Sequence, residues 1–519
     1  MTCFYYQNYI AAFCAFFVAV FDKQPPIEYH SSIDSNLITK GDIMSALRKN
    51  KLNIGWPQDF KLYDKILFGT AFLFAFFFMS HPDLWETANH SYVFLESVFS
   101  GNFMNFYEFC AAHNNSYYYI NVANYNIVVY IIFGLWELPV FLFNRMFGLA
   151  LSERFIIYWA KCVSVGFFVG CGYMVKKLCL ALDMSDSNAS MAALFFMFNP
   201  IAFYSPVVMG QYDTLCLFFT LWALCFYVKG DLAKFSFVLG TGLVCKFFPL
   251  LVFVPLLLIQ EKRILHIIKY AIISMWLYIP TTLLFMGRTG NAAAFTSAMI
   301  QRIFSVTTDT GMGAPSVFML IYAIIVFISF VYVPKNRKQA GYMAVYLPMV
   351  VFCLLFNYIM WHPQWLILMI PFVVITTFMQ DNKAPWFWLD IVMTAGFLLY
   401  CYAHFPGQSA AMLFDGGLFS HITGIRIALA PRWRKLSDFI VLIPYVFDLV
   451  PVMFTGSIIA NIILKLPLGN STLADKISDG TKFDKIPLKL YAYIIFGAGF
   501  VCMWLLPSLF EAFNAFGII

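Results

Sequence analysis

The chain has 519 residues, 61% of them hydrophobic and only 12% charged, against roughly 45–50% apolar and about 25% charged in an average soluble domain. A soluble globular enzyme is excluded. The formal charge of +6, from 33 Lys and Arg against 27 Asp and Glu, is scattered through short connecting segments, so it reports loop orientation and gives no footprint for a nucleic acid.

The apolar surplus falls in repeated runs of about 20 residues, the length that crosses roughly 30 Å of hydrocarbon at about 1.5 Å per residue. An all-α polytopic membrane protein is predicted. The 12 cysteines sit mostly inside apolar runs without a CxxC pair, so neither a disulfide framework nor a zinc site is expected.

Residues 1–21 are apolar but have no Lys or Arg ahead of them, which favours a first span or an interfacial helix over a cleaved signal peptide. The polar stretch 22–61 carries Lys23, Lys40, Arg48, Lys49, Lys51 and Lys61, and this places it in the cytoplasm. A span at about 62–80 then runs outward. Residues 81–117 contain Asp83, Glu86, Glu96 and Glu108 but no Lys or Arg, so this loop belongs outside. Val93, Leu95, Val98 and Phe99 among polar neighbours predict one or two short helices along the membrane surface.

Further spans are predicted at about 124–143, 155–177, 189–206, 211–229, 234–258, 264–286, 314–333, 341–360, 364–380, 385–404, 414–430, 438–464 and 489–513, roughly 12–15 helices in all. Inside markers are Glu261-Lys262-Arg263, Lys335 to Lys338 and Arg432 to Lys435. Simple alternation would put Lys176-Lys177 outside and Gln211 to Asp213 inside. One extra short crossing in 117–150, with 234–258 split into half-helices meeting at Lys246, restores Lys176-Lys177 to the inside and faces Asp213 and Lys246 outward. The side taken by 465–488 stays open. Three parts result: a terminal segment and linker at 1–61, a central module at 62–380 and C-terminal helices at 381–519.

Several polar groups at span ends carry candidate chemistry. His81-Pro82-Asp83-Leu84-Trp85-Glu86 puts two carboxylates three residues apart on one side of a helical turn. Partial shielding by Leu84 and Trp85 is expected to raise the basicity of Asp83, as suits a base taking a proton from a hydroxyl. An ordinary anionic outside loop has the same composition. Asn199-Pro200, Ser205-Pro206 and Gly210-Gln211-Tyr212-Asp213 interrupt apolar helices around polar groups, the pattern of a lined cavity or of a solvated loop. Lys246 stands in GLVCKFFPLLVFVPLLLI with no carboxylate nearby in sequence. At mid-membrane it would cost about 2.5–3.5 kcal/mol on insertion scales, so it calls for an anion such as a lipid-linked phosphate, or snorkels to the headgroups. Trp361-His362-Pro363-Gln364-Trp365 joins two spans with aromatic, imidazole and amide groups, which suits a sugar as well as an interfacial belt. Arg288 and Arg302 flank an outside loop. No protein metal cage is expected, although a divalent cation, Mg or Mn, could bridge Asp83 or Glu86 to a phosphate.

The acidic first outside loop, NPIAFYSPVVMGQYD, GLVCKFFPLLVFVPLLL and the WHPQW junction resemble, in this order, the GT-C superfamily of polyprenyl-phosphate-sugar-dependent membrane glycosyltransferases over about residues 60–380. The resemblance implies a lipid-phosphate-sugar donor, a glycan or glycolipid acceptor, an outward-facing site and inversion at the anomeric carbon. It would make Asp83 the general base with Glu86 assisting, and His81, Gln211 and Asp213 part of the sugar and acceptor site. Lys246 and Arg302 would meet the donor phosphate, and His362 and Gln364 the phosphate or sugar. Glu86, where a second acid adjacent to Asp83 would be usual, departs from the pattern. A lipid-linked sugar flippase is the competing reading, although no pairing of inverted halves is evident. A bacterial plasma membrane and a cell-envelope glycan are the expected setting. Asn89-His90-Ser91 and Asn114-Asn115-Ser116 are formal glycosylation acceptors that keep an endoplasmic reticulum membrane as the alternative.

Overall fold

The computed structural model describes residues 57, 60–112, 123–148, 152–287, 298–405, 414–432, 434–469, 471–477, 487–501 and 505–518. The predicted first span, most of the cytoplasmic linker, Arg288 and the acceptor triplet at Asn114 lie outside them.

Helix α1 (Leu62–Phe78) is apolar after Asp64 and Lys65 in its first turn and ends in an extended Met79. The chain then turns by 67° into α2 (Pro82–Phe99). Pro82 fixes φ at the first helical position, where a missing N–H costs nothing. His81 caps the helix by accepting from the Asp83 N–H at 3.3 Å. The stretch expected to hold one or two short helices forms the 18-residue α2 and a short α3 (Phe106–Ala112). Together with α4 (Ile127–Phe147) they share an aromatic core of their own, where Phe94, Phe106 and Tyr130 pack at 5.0–5.6 Å. Asn126 caps α4, and Gly148 closes it in the left-handed conformation with φ of 61°.

The long α5 (Glu153–Ala181) follows. Then come α6 (Asp186–Phe198) and α7 (Pro200–Phe203), which continues as a π-helical turn over Tyr204–Met209. The 58° bend between α6 and the following segment falls at Asn199-Pro200, where proline lacks the N–H and clashes with the preceding turn. Helix α8 (Asp213–Tyr227) leads to α9 (Leu232–Cys245) and α10 (Phe248–Gln260). The break between the last two lies at Lys246, as the two-half-helix reading expected. Helices α11 (Ile264–Ser274) and α12 (Tyr278–Leu284) meet at 52°. After α13 (Ala298–Ile303) and α14 (Val317–Val331) comes α15 (Arg337–Tyr358), buried from Met343 to Phe356 and running through the main core. A 3₁₀ turn (Pro363–Leu368), α16 (Ile370–Phe378), α17 (Ala384–His404) and α18 (Val446–Leu464) follow, and the stretch expected as a span at 489–513 holds Leu488–Ala492, a π-helical turn over Tyr493–Ala498 and Leu506–Ala515.

Among the described residues, four helices are long and apolar enough to cross a membrane, or up to seven if each bent pair is one span. A set of shorter apolar helices, α8, α9, α10 and α14 among them, falls below that length. The span expected at 414–430 is not formed. Residues 414–416, Leu418–Thr423 and a 3₁₀ turn at Ile427–Leu429 are helical there as separate short pieces, the last two separated by Gly424 with φ of 68°. The expected helix at 438–464 likewise starts only after Tyr445, which is itself left-handed.

Buried lysines close helix ends. Lys465 is fully buried and donates to Val373 O, Thr376 Oγ1 and Thr377 Oγ1 at 2.8–3.1 Å. Its carbonyl accepts from Tyr342 Oη at 2.8 Å. Residue 465 therefore lies near the end of α15 at which that helix begins.

Candidate functional site

The break after α1 carries His81 and Asp83, and Asp83 sits at the second position of α2. Facing it is the turn between α7 and α8, shaped by Gly210. Gly210 has φ of +83°, and a Cβ there would stand 2.6 Å from Leu84 Cδ2. Glycine lets the two segments close together. Gln211 Nε2 then donates to Asp83 Oδ2 at 2.6 Å across 128 residues of sequence, while Asp83 Oδ1 lies 3.4 Å from His81 Nδ1. Gly210→Ala is expected to destabilise the fold, because a left-handed Ala costs about 1–2 kcal/mol and its methyl must displace Leu84. Thermal unfolding in detergent should show a lowered midpoint. Leu84→Ala in the same background should relieve the clash but leave the backbone cost; an unchanged midpoint in Gly210→Ala would show that this approach is not tight.

Asp213, on the first turn of α8, is fully buried. Lys246 reaches it from the α9/α10 break, with Nζ 2.5 Å from Asp213 Oδ1, and also stands 4.9 Å from the centre of the Tyr212 ring. The sequence offers Lys246 no carboxylate in its own helix. The structure corrects this, since the anion comes from the neighbouring helix. The ammonium directs one of its three donors at Asp213.

The third component is the 361–365 turn. The His362 and Trp365 rings are 5.0 Å apart. The Arg302 guanidinium lies 5.5 Å from the Trp365 ring centre, and its Nη1 donates to Met360 O at 3.4 Å. Phe248, just past Lys246, packs on Trp365 at 5.6 Å, so the turn and the helix break are in direct contact. Gln364 is buried. Its Oε1 and Asp213 Oδ2 are acceptors with no hydrogen-bond donor among the described residues. Glu86 is half-buried one turn beyond Asp83 on α2.

His81, Asp83 and Gln211 thus form one contact group, Asp213 and Lys246 a second, and His362 and Arg302 a third around Trp365. The groups act on one another electrically. Burial, with Arg302 next in size, pushes the His362 imidazole down to about 4 against the opposing pull of Asp83, while Lys246 and His81 push the same way. His362 is therefore neutral at pH 7. At Asp83 burial raises the pKa, but His81, when protonated at the Nδ1 that caps α2 in its neutral form, with His362 and Lys246 beyond, outweighs it, and the carboxyl stays below its ordinary value. The raised basicity expected from Leu84 and Trp85 is thus reversed, because the neighbours of this half-exposed group favour the anion.

Two residues not singled out in the sequence support this arrangement from α5. Lys161 donates to Ala75 O, Phe76 O and Met79 O at 2.6–3.2 Å. Ser164 donates to Gly210 O at 2.8 Å. The available signal for Lys161 was a cation within the apolar run of 155–177, the same signal that marked Lys246. Among the described residues, no group of three or more His, Cys, Asp or Glu is placed to hold a metal ion. No protein-family model, curated protein or solved structure matches the chain.

Proposed function

We propose that the protein is an inverting glycosyltransferase that moves a sugar from a polyprenyl-phosphate donor to a hydroxyl of a glycan or glycolipid at the outer face of a membrane. The observation that carries this reading is the approach of Asp83 to Gln211 at 2.6 Å at a site that also gathers Lys246, His362 and Arg302. An anionic base, neutral hydrogen-bonding groups and cations in one place are what displacement of a phosphate by a hydroxyl requires. The Asp83 side chain is 43% exposed whereas that of Asp213 is 0% exposed, so Asp83 is the carboxylate an acceptor can reach.

In this reading the acceptor oxygen attacks the anomeric carbon from the face opposite the phosphate. Its proton passes to Asp83 as the bond to the phosphate oxygen breaks, and the phosphate leaves as an anion. Gln211 holds Oδ2 and leaves Oδ1 toward the acceptor. Arg302 and the remaining donors of Lys246 stabilise the departing charge, and neutral His362 donates or accepts without competing for the proton. No divalent cation is needed for these steps.

The arrangement also favours the larger span count. If α2 to α4 form an outer layer with its own core, α5 runs inward and carries Lys176-Lys177 to the inside. The shorter helices from α6 onward then cross in alternation, with Asp213, Lys246 and His362 outside and residue 465 inside. A bacterial plasma membrane is the setting we favour.

Transfer of radiolabelled sugar from a panel of polyprenyl-phosphate sugars by the purified protein tests the function. Consumption of one donor is expected; movement of lipid-linked sugar between leaflets without consumption would replace the enzyme by a flippase. The pH profile is a further expectation. A base with a lowered pKa is active above it and lost as pH falls through it, so kcat/KM should stay level from about pH 8 down to about 5, with its acid limb at or below the ordinary carboxylate value of about 3.9. A limb centred near pH 6 would contradict Asp83 as the base.

A further inference from the structure

Helix α5 touches both halves of the Asp83–Gln211 contact. On one side, Lys161 is fully buried and places its three N–H donors on three carbonyls at the C-terminal end of α1: Ala75 at 3.2 Å, Phe76 at 2.7 Å and Met79 at 2.6 Å. One turn earlier, Tyr158 Oη donates to Phe77 O at 2.7 Å. A helix end leaves its last carbonyls without intrahelical partners, and within a bilayer no water replaces them. The negative end of the helix dipole also favours a cation there. Met79 is two residues from His81 and four from Asp83, so the pinned carbonyls fix the point from which the 67° turn into α2 departs.

On the other side, Ser164 lies three residues after Lys161 and therefore on the same helical face. Its Oγ donates to Gly210 O at 2.8 Å, and its carbonyl accepts from Thr214 Oγ1 at 3.0 Å. Gly210 immediately precedes Gln211. A single turn of α5 thus grips the two backbone segments whose side chains meet at 2.6 Å.

We propose that Lys161 is a positioning residue for the transfer reaction, holding the α1–α2 turn on α5 at the height where Asp83 meets Gln211. This rests on the transferase reading above. Its cation touches no substrate and acts through the backbone of 75–79. Loss of the three bonds releases the turn, lets Asp83 leave Gln211, and lowers the rate of proton removal while the donor-binding groups on α8, the α9/α10 break and the 361–365 turn keep their places.

Lys465 supplies a matched control. It too is fully buried with three acceptors, but it stands at the opposite end of the bundle from Asp83. Lys161→Met and Lys465→Met are compared with wild type for thermal midpoint, kcat, donor KM and amide hydrogen exchange over residues 80–88. Both variants should lose thermal stability. Lys161→Met alone should lose at least about tenfold in kcat with donor KM changed less than about threefold, and it alone should exchange faster over 80–88. Partial recovery of kcat in Lys161→Arg, which keeps the cation, would support the assignment further. Equal loss of kcat in the two Met variants, or unchanged exchange over 80–88 in Lys161→Met, overturns it. If wild type transfers no sugar from any donor, the transferase reading fails by itself, and exchange over 80–88 still decides whether Lys161 fixes the turn.

Should Lys161→Met not accumulate as folded protein, Ser164→Ala tests the other grip. It removes one hydrogen bond, and its expected signature is the same fall in kcat at near-constant donor KM, at smaller size. An unchanged kcat in Ser164→Ala would remove α5 from the positioning of the site.

Discussion

Asp83→Asn is expected to reduce turnover by about 10²–10⁴-fold, the range supplied by a positioned general base, while donor binding persists. The substitution is nearly isosteric, and the amide oxygen of an Asn can still accept from Gln211 Nε2, which now donates to Asp83 Oδ2 at 2.6 Å. The α1–α2 turn is held by Lys161 and by Ser80, whose Oγ donates to Gly416 O at 2.6 Å, and neither contact involves the carboxyl. The fold should therefore be unaffected. Single-turnover kinetics with saturating donor, beside a donor-binding titration, separate the two quantities. Wild-type turnover in the variant would remove Asp83 from the mechanism, and loss of donor binding would make it a binding residue instead. Glu86, one turn along α2, is the control: Glu86→Gln should cost less, because the assigned proton acceptor remains.

The second large effect concerns stability. Lys246 and Asp213 are buried together with 2.5 Å between them, in surroundings of Leu243, Val244, Cys245, Leu215 and Cys216, all nearly or wholly buried. Lys246→Met removes the cation and leaves a buried carboxylate, a change that costs about 3–5 kcal/mol where one partner of a buried pair is deleted. Replacing both, Lys246→Met with Asp213→Leu, removes the stranded charge and should return most of that stability, since apolar replacements of whole buried pairs are often neutral. Thermal unfolding of the four proteins in one detergent forms the double-mutant cycle. Equal stability of the single variant and wild type would show that Asp213 does not depend on Lys246. The double variant should remain inactive even when stable, because the cation assigned to the departing phosphate is gone.

Much of this site is legible in the sequence because its parts are interruptions. Proline at Pro82 and Pro200, glycine at Gly210 and a lone charge at Lys246 each break an apolar run, and helix ends occur at or beside all of these positions, while Pro206 falls inside the π-helical turn. What joins the parts is not legible. The pairs Asp83–Gln211 and Asp213–Lys246 are 128 and 33 residues apart, and periodicity within one helix carries no information about which helix lies alongside. The same gap explains the reversed expectation for Asp83: Leu84 and Trp85 are its neighbours in sequence, but His81 and the cation across the site set its charge. Lys161 escaped notice although it carries the same signature as Lys246, because it stands in mid-helix without a glycine or proline to mark a break. The expected span at 414–430 failed for the opposite reason. Its apolar residues are interrupted by Asp415 and Arg426, Gly416, Gly417 and Gly424 allow turns, and Gly417 lies too close to Phe78 O for any side chain.

The measurement that bears most directly on the central claim is the anomeric configuration of the transferred sugar, determined by NMR on product made from a donor of known configuration. A single displacement with Asp83 as base predicts transfer with inversion, an α-linked product from a β-linked donor or the reverse. Retention of configuration would require a covalent or front-face route in place of the single displacement assigned to Asp83, and the absence of any glycosylated product would contradict the enzyme itself.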